Sequence, residues 1–321
     1  MSAAVNTEDT TNTLMFCASC GTAGGDDVKL KNCTACYLVK YCSVNCQRQH
    51  RPQHKKECKK RAAELKDQLL FRQPECTHRG DCPICLLPIP IATSKETVRS
   101  TLYQCCSKYV CDGCAHANNL RETQERLPKS CPFCRHPLPR SVEESLLHQK
   151  KRVKANDPAA LQREGMDHTL AGKYVTAIKY FEKAAGLGDI EAHFNLSDIY
   201  YRGRGVEKDM KKFIYHLEEA AIGGHVVARD NLGAVESQKG NLKRVLKHYI
   251  IAAKLGFEES MEHLKKYYEC GALSKEDFAA VLTAHRAAVD AMKSPQRDAA
   301  EAAKKRGAAH IVQSGFTTAS G

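Results

Sequence analysis

The sequence predicts a multi-domain chain in which small metal-stabilised α+β modules precede an all-α solenoid of helical hairpins. Three observations carry that expectation. Seven cysteines and His54 fall in four close pairs between residues 17 and 58. Eight further cysteines do the same between 82 and 134, and a gapless helical repeat begins near residue 159.

The first block reads C-x2-C-x12-C-x2-C-x5-C-x3-C-x7-H-x3-C, comprising Cys17, Cys20, Cys33, Cys36, Cys42, Cys46, His54 and Cys58. Zinc takes four sulfur or imidazole ligands in a tetrahedron, and C-x2-C knuckles supply sulfurs in pairs. Four pairs make two complete sites with no open position, which is the donor set of structural rather than catalytic zinc. Order and spacing resemble the MYND zinc finger over residues 15–60, with "YCSVNCQ" at 41–47 similar to its middle segment. The resemblance implies interleaved sites: Cys17, Cys20, Cys42 and Cys46 on one zinc, Cys33, Cys36, His54 and Cys58 on the other. It also implies capture of short proline-containing peptides. Gln47 matches the family's residue after the sixth cysteine, but Arg51 stands where a tryptophan is usual, so an aromatic wall is missing. Tyr37 and Val39 are expected either to present an edge strand for peptide addition or to pack between the zinc sites.

At 321 residues the chain has room for two or three domains. No run approaches the roughly 20 apolar residues of a membrane span. Residues 1–14 have no apolar core, which excludes a secretory signal and reads as a disordered leader. Clustered cysteines without such a signal favour zinc in a reducing compartment, cytoplasmic and/or nuclear, over disulfides. Cys76 and Cys270 fall outside the clusters and read as ordinary thiols. The formal charge is +12. Zinc binds cysteine as thiolate, so four loaded sites would lower the charge to about +5. The basic runs 54–61 and 149–154 carry few aromatics, so solvated helix faces are favoured over nucleic-acid binding.

Residues 61–78 read as a helical linker, the helix itself spanning 59–71 and stopping before Pro74. The second block contains "CPIC" (Cys82, Cys85), then Cys105, Cys106, Cys111 and Cys114, and ends in "CPFCR" (Cys131, Cys134, Arg135). Residues 79–140 resemble a RING domain. Carried over pair by pair, one zinc takes Cys82, Cys85, Cys111 and Cys114, and the other Cys105, Cys106, Cys131 and Cys134. The chain departs from the family where a histidine is usual: Ser107 and Lys108 cannot serve, so adjacent Cys105 fills the gap, with His116 as the alternative ligand. The resemblance implies recruitment of a ubiquitin-conjugating enzyme through Ile84, Pro132 and Arg135, the arginine bridging ubiquitin and the enzyme.

Residues 141–156 read as a connecting helix with Val142, Leu146, Leu147 and Val153 apolar. From 157 to 270, "AAGLGDIEAHFNL" (184–196), "AAIGGHVVARDNL" (220–232) and "AAKLGFEESMEHL" (252–264) align without gaps. Recurrence at such periods signals stacked helical hairpins. In the second copy Ala192, Leu196, Ile199 and Tyr200 share one stripe, and Phe213, Leu217, Ala220 and Ala221 share the next. Gly188, Gly224 and Gly256 are expected to end helices. The pattern is similar to SLR-type, tetratricopeptide-like repeats, which implies a protein-binding surface. "SKED" at 274–277 opens a capping helix over 271–295, and 296–321 reads as a flexible tail. No phosphate loop, nucleophile elbow or HExxH is present, and no catalytic residue is assigned. The expected function is a zinc-binding protein-interaction adaptor with protein or peptide partners. The alternative is a RING-type ubiquitin ligase whose repeats hold the substrate.

Overall fold

The computed structural model of the protein describes residues 16–91 and 100–315. The expected leader lies outside them. The chain divides into two compact units, Met1–Arg72 and Gln73–Gly321.

In the first unit, β1 (Lys31–Asn32) and β2 (Lys40–Tyr41) pair antiparallel, with Lys31 opposite Tyr41. Strands this short cannot hold themselves together. Their core is sulfur-rich: Cys17, Cys33, Cys36, Tyr41 and Cys46, with Leu30 and Val39 packed against it. Helix α1 (Val44–Leu70) opens at Ser43, whose Oγ accepts from the Cys46 N–H at 3.2 Å. The sequence reading begins this helix at Lys59, whereas the structure begins it at Val44. Residues 44–58 lack apolar periodicity because their inward face consists of ligands. Cys46, His54 and Cys58 lie within about 120° of one another on a helix of 3.6 residues per turn.

The second unit opens with a zinc-type module. β3 (Ser100–Tyr103) and β4 (Lys108–Cys111) pair antiparallel from Ser100–Cys111 to Tyr103–Lys108, and α2 (Asp112–Gln124) follows directly. Its core is Cys82, Ile89, Val110, Cys111 and Cys114. Helix α3 (Val142–Lys154) forms where expected, capped by Ser141, but with a different inward face. Val142, Leu146 and Leu147 are exposed, and the buried residue is Gln149. Its Nε2 donates to Glu164 at 2.7 Å and Asp167 at 2.8 Å, while its Oε1 accepts from Gln104 at 3.2 Å. A polar anchor of that kind leaves no trace in apolar periodicity.

The hairpins follow: α4 (Pro158–Leu170) with α5 (Tyr174–Gly186), α6 (Ile190–Arg202) with α7 (Met210–Ile222), and α8 (Val226–Gln238) with α9 (Leu242–Lys254). The two stripes expected in the second copy are buried throughout. Gly188, Gly224 and Gly256 adopt φ of 89°, 85° and 91°, the left-handed conformation that lets each chain turn into the next helix. α10 (Glu258–Glu269) and α11 (Lys275–Ala291) close the stack, with Val281 joining Val245, Tyr249, Met261 and Leu264 in one core. Ser274 caps α11 by accepting from the Asp277 N–H at 3.0 Å.

Over residues 296–315 the structure departs from the expected flexible tail, while 316–321 lie outside the described residues. Helix α12 (Pro295–Gly315) continues from the stack and packs along α2 of the zinc-type module. Ala300 is buried, and Lys304 pairs with Asp112. Its alanines give no amphipathic signal, yet their small size lets the two helices approach closely.

Candidate metal centres

Four of the five C-x2-C pairs share one turn, the fifth, Cys111 and Cys114, opening α2. Gly21, Tyr37, Leu86 and Arg135 follow the second cysteine of a C-x2-C pair, and all four have φ between 56° and 73°. The N–H of each donates to the carbonyl of the first cysteine at 2.9 Å. Ser107 has φ of 53° and closes the same turn onto Tyr103 at 2.8 Å. That sharp reversal is what allows the neighbouring Cys105 and Cys106 to face one centre.

The turns bring sixteen side chains into four groups, each with ligand atoms within 4.8 Å of one another. They are Cys17, Cys20, Cys42 and Cys46; Cys33, Cys36, His54 and Cys58; Cys82, Cys85, Cys111 and Cys114; and Cys105, Cys106, Cys131 and Cys134. His116 lies on α2 outside the last group. Four sulfurs at about 2.3 Å from a tetrahedral zinc stand about 3.8 Å apart. The structure gives 3.6 Å for Cys20–Cys42, 3.7 Å for Cys33–Cys58, 3.8 Å for Cys85–Cys111 and 3.9 Å for Cys106–Cys131. Cys36 Sγ stands 3.1 Å from His54 Nε2. These separations fit zinc and are far beyond the roughly 2.05 Å of a disulfide.

The electrostatics point the same way. The Cys111 thiol hydrogen-bonds Cys82 and holds its thiol down to about 4, while Cys111 itself is pushed up by the same bond and by burial. Burial pushes Cys114 up to about 12. In the first unit burial opposes ionisation of Cys17 and Cys33, but nearby backbone N–H groups hold both down to about 6. Thiols so crowded cannot all ionise together, and a divalent cation removes that conflict.

The expected partner-binding residues are placed unevenly. Ile84 is 41% exposed within its knuckle. Arg135 is exposed, with Nη1 donating to Asn118 Oδ1 at 2.6 Å. Pro132 is buried beside Cys131, so it shapes the knuckle and offers no free face. Gln47 is half-buried on α1 and Arg51 is exposed. Val39 packs against the sulfur core, but Tyr37 is 64% exposed beside exposed Leu38, contrary to packing between the sites. Cys76 and Cys270 are both exposed.

Sequence reasoning missed two supports of the second module. Glu122 is buried on α2, and its Oε1 accepts from the Ser130 N–H at 3.0 Å, Ser130 Oγ at 2.6 Å and Asn118 Nδ2 at 2.8 Å. These bonds fix Ser130 at the entry to the Cys131 knuckle. Although burial opposes it, they hold the carboxyl below the usual range. The other support is the contact of residues 76–79 with the solenoid, where His78, Glu191 and His225 gather.

The His78–Glu191–His225 cluster resembles a metal site in composition, but its hydrogen bonds give it another role. His225 occupies the cap position that Asp189 fills one repeat earlier, and its Nδ1 accepts from the Ala228 N–H at 3.2 Å. Burial keeps this imidazole neutral, its pKa pushed down to about 3, so the single ring proton sits on Nε2. That nitrogen faces Glu191 Oε2 at 3.7 Å and has no lone pair for a metal. His78 Nε2 donates to the same oxygen at 2.9 Å, and the His78 N–H donates to Gly224 O at 3.1 Å. Burial opposes ionisation of Glu191, but His78, His225 and Arg79 hold it down to about 2. The cluster is a carboxylate clamp between the zinc-type module and the repeats.

Comparison with known proteins matches two stretches of this chain. Residues 17–58 match the family model of the MYND finger, and residues 172–189 and 190–225 match that of the Sel1 repeat. HcpC of Helicobacter pylori (strain J99), named a candidate beta-lactamase, is 43% identical over 56 residues. The match covers 17% of this chain and 19% of HcpC. Among solved structures, a Sel1 repeat protein from Oxalobacter formigenes aligns with a TM-score of 0.41 at 22% identity, over 55% of this chain and 72% of that one. The Escherichia coli protein c5321, a protective antigen displaying an SLR fold, aligns with a TM-score of 0.40 at 18% identity, over 54% and 37%.

Proposed function

We propose that this chain is a zinc-dependent adaptor that binds four zinc ions and brings protein or peptide partners together. The observation that carries the reading is that all four Cys/His groups supply four protein ligands, the donor set of closed structural sites. Zinc then organises modules too small to bury an adequate core. In the first unit, exposed Tyr37 and Leu38 would supply the apolar contact that a tryptophan provides in the family, and half-buried Gln47 a polar one. In the second, the groove between α10 and α11, lined by Met261, Tyr268, Phe278 and Leu282, and the exposed apolar residues of α3 offer further docking area. Among the described residues no helix is long and apolar enough to cross a membrane. We read the partners as proteins rather than nucleic acid, and the compartment as reducing.

Metal analysis of the loaded protein should find four zinc ions, with chelation unfolding both cysteine-rich modules. Two or fewer ions would overturn the reading. The ligase alternative draws support from exposed Ile84 and Arg135, whereas Pro132 is buried. Self-ubiquitination with a panel of conjugating enzymes separates the two. Silence with four zincs bound supports the adaptor, while chains lost in an Ile84→Ala, Arg135→Ala double variant would establish the ligase.

A further inference from the structure

Arg297, on α12, is 9% exposed, and its guanidinium reaches into the first knuckle of the second module. Nη1 donates to Pro88 O at 2.8 Å and to Met292 O, and Nη2 donates to Leu87 O at 3.2 Å. Nη2 also stands 3.6 Å from Cys85 Sγ, within range of an N–H···S bond. Gly113, between Cys111 and Cys114 on α2, makes the approach possible: a Cβ there would meet Arg297 N and Cγ at 2.9 Å. A residue more than two hundred positions downstream of Cys85 is thus built into the wall of a metal site.

We infer that Arg297 is a hydrogen-bond donor to the thiolates of the Cys82, Cys85, Cys111 and Cys114 site, so that zinc occupancy and docking of α12 strengthen one another. The inference rests on the zinc reading of that site. Four thiolates around one divalent ion retain a net negative charge, which a buried guanidinium offsets and which orients its N–H groups. Without the ion the sulfurs are no longer held together beneath Nη2, and α12 loses part of what holds it. Coupling of this kind is reciprocal: whatever zinc adds to α12 docking, docked α12 adds to zinc affinity. The competing explanation is that Arg297 only staples α12 to the carbonyls of Leu87 and Pro88, which predicts no effect on the metal.

The test follows zinc release from the loaded full-length chain to a chromogenic chelator. Outer partners of metal ligands commonly alter affinity about 10–100-fold. Arg297→Gln should therefore release one of four ions about 10-fold faster, with Arg297→Lys between it and the wild type. Ala300→Glu, which disrupts α12 packing while retaining the arginine, should release the same ion faster. Conversely, stripping zinc from the wild type should raise amide exchange across residues 295–306. Unchanged release in both variants, with exchange showing α12 undocked, would leave only the staple and overturn the inference. A wild-type chain holding two zinc ions would overturn the zinc reading of this module, and the inference with it.

Discussion

Gly165 sits inside α4, where a glycine ordinarily costs stability, yet replacing it with alanine should make the protein less stable. A Cβ at this position would lie 2.6 Å from Phe181 Cε1, 2.7 Å from Cδ1 and 3.0 Å from Cζ. Phe181 is fully buried on α5, so its ring has nowhere to retreat. The same register recurs two hairpins on as Gly233 with Tyr249, where a Cβ would stand 2.5 Å from the ring. Alanine gains about 1 kcal/mol in helix propensity. Overpacking a filled core costs about 1–3 kcal/mol. With an immobile ring the upper part of that range applies, giving a net loss of about 1–2 kcal/mol. Urea unfolding followed by helical circular dichroism would measure it, with amide exchange localising the effect to α4 and α5. Phe181→Leu should recover part of the loss in the double variant, with a coupling of about 0.5–3 kcal/mol expected for contacting residues. A Gly165→Ala protein stabilised by about 1 kcal/mol, or one whose effect simply adds to that of Phe181→Leu, would refute the close-approach argument.

Two further outcomes are expected. Burial pushes His225 and His248 down to about 3 and His216 to about 4, from an ordinary value of 6.5. The unfolded chain therefore binds more protons than the fold, and the solenoid should lose stability as pH falls below about 6.5, by up to about 1.4 kcal/mol per pH unit for each imidazole. Glu191, held down to about 2, adds a loss of the same sign below its ordinary 4.5. Urea midpoints that stay level from pH 7 to pH 5 would contradict this. Glu122→Ala leaves the Ser130 N–H and hydroxyl and the Asn118 amide without their carboxylate. At about 1–3 kcal/mol for an orphaned buried group, it should loosen the Cys131 knuckle and hasten zinc loss there in a chelator assay. Wild-type release kinetics would show that Glu122 does not support that site.

Much of this architecture was legible because the relevant signals are local. Cysteine pairs announce knuckles, and the recurring Gly188, Gly224 and Gly256 announce left-handed turns. Even adjacent Cys105 and Cys106 could be read as one group's donors, although the turn at Ser107 that brings them to one group could not. Four of the five knuckle turns use Tyr37, Leu86, Ser107 or Arg135 in a conformation for which glycine is the usual marker. A backbone hydrogen bond onto the carbonyl four residues back closes the turn there, so composition carries no sign of it. The misplaced start of α1 and the polar inward face of α3 share one cause. Both helices are positioned by ligands or hydrogen bonds rather than by an apolar stripe, the quantity that periodicity measures. The contact of α12 with α2 joins elements far apart in the chain through alanines and one arginine, which no local window detects.

That long-range contact also has a consequence for biosynthesis. Arg297 and the Pro88 carbonyl it holds are separated by 209 positions. At about 5–20 residues per second, a ribosome takes on the order of 10–40 seconds to make the intervening chain. For that interval the Cys82–Cys85 knuckle stands on the nascent chain while the arginine that completes its wall does not yet exist. On the zinc reading, the nascent knuckle would exchange an ion more freely than one that α12 has closed.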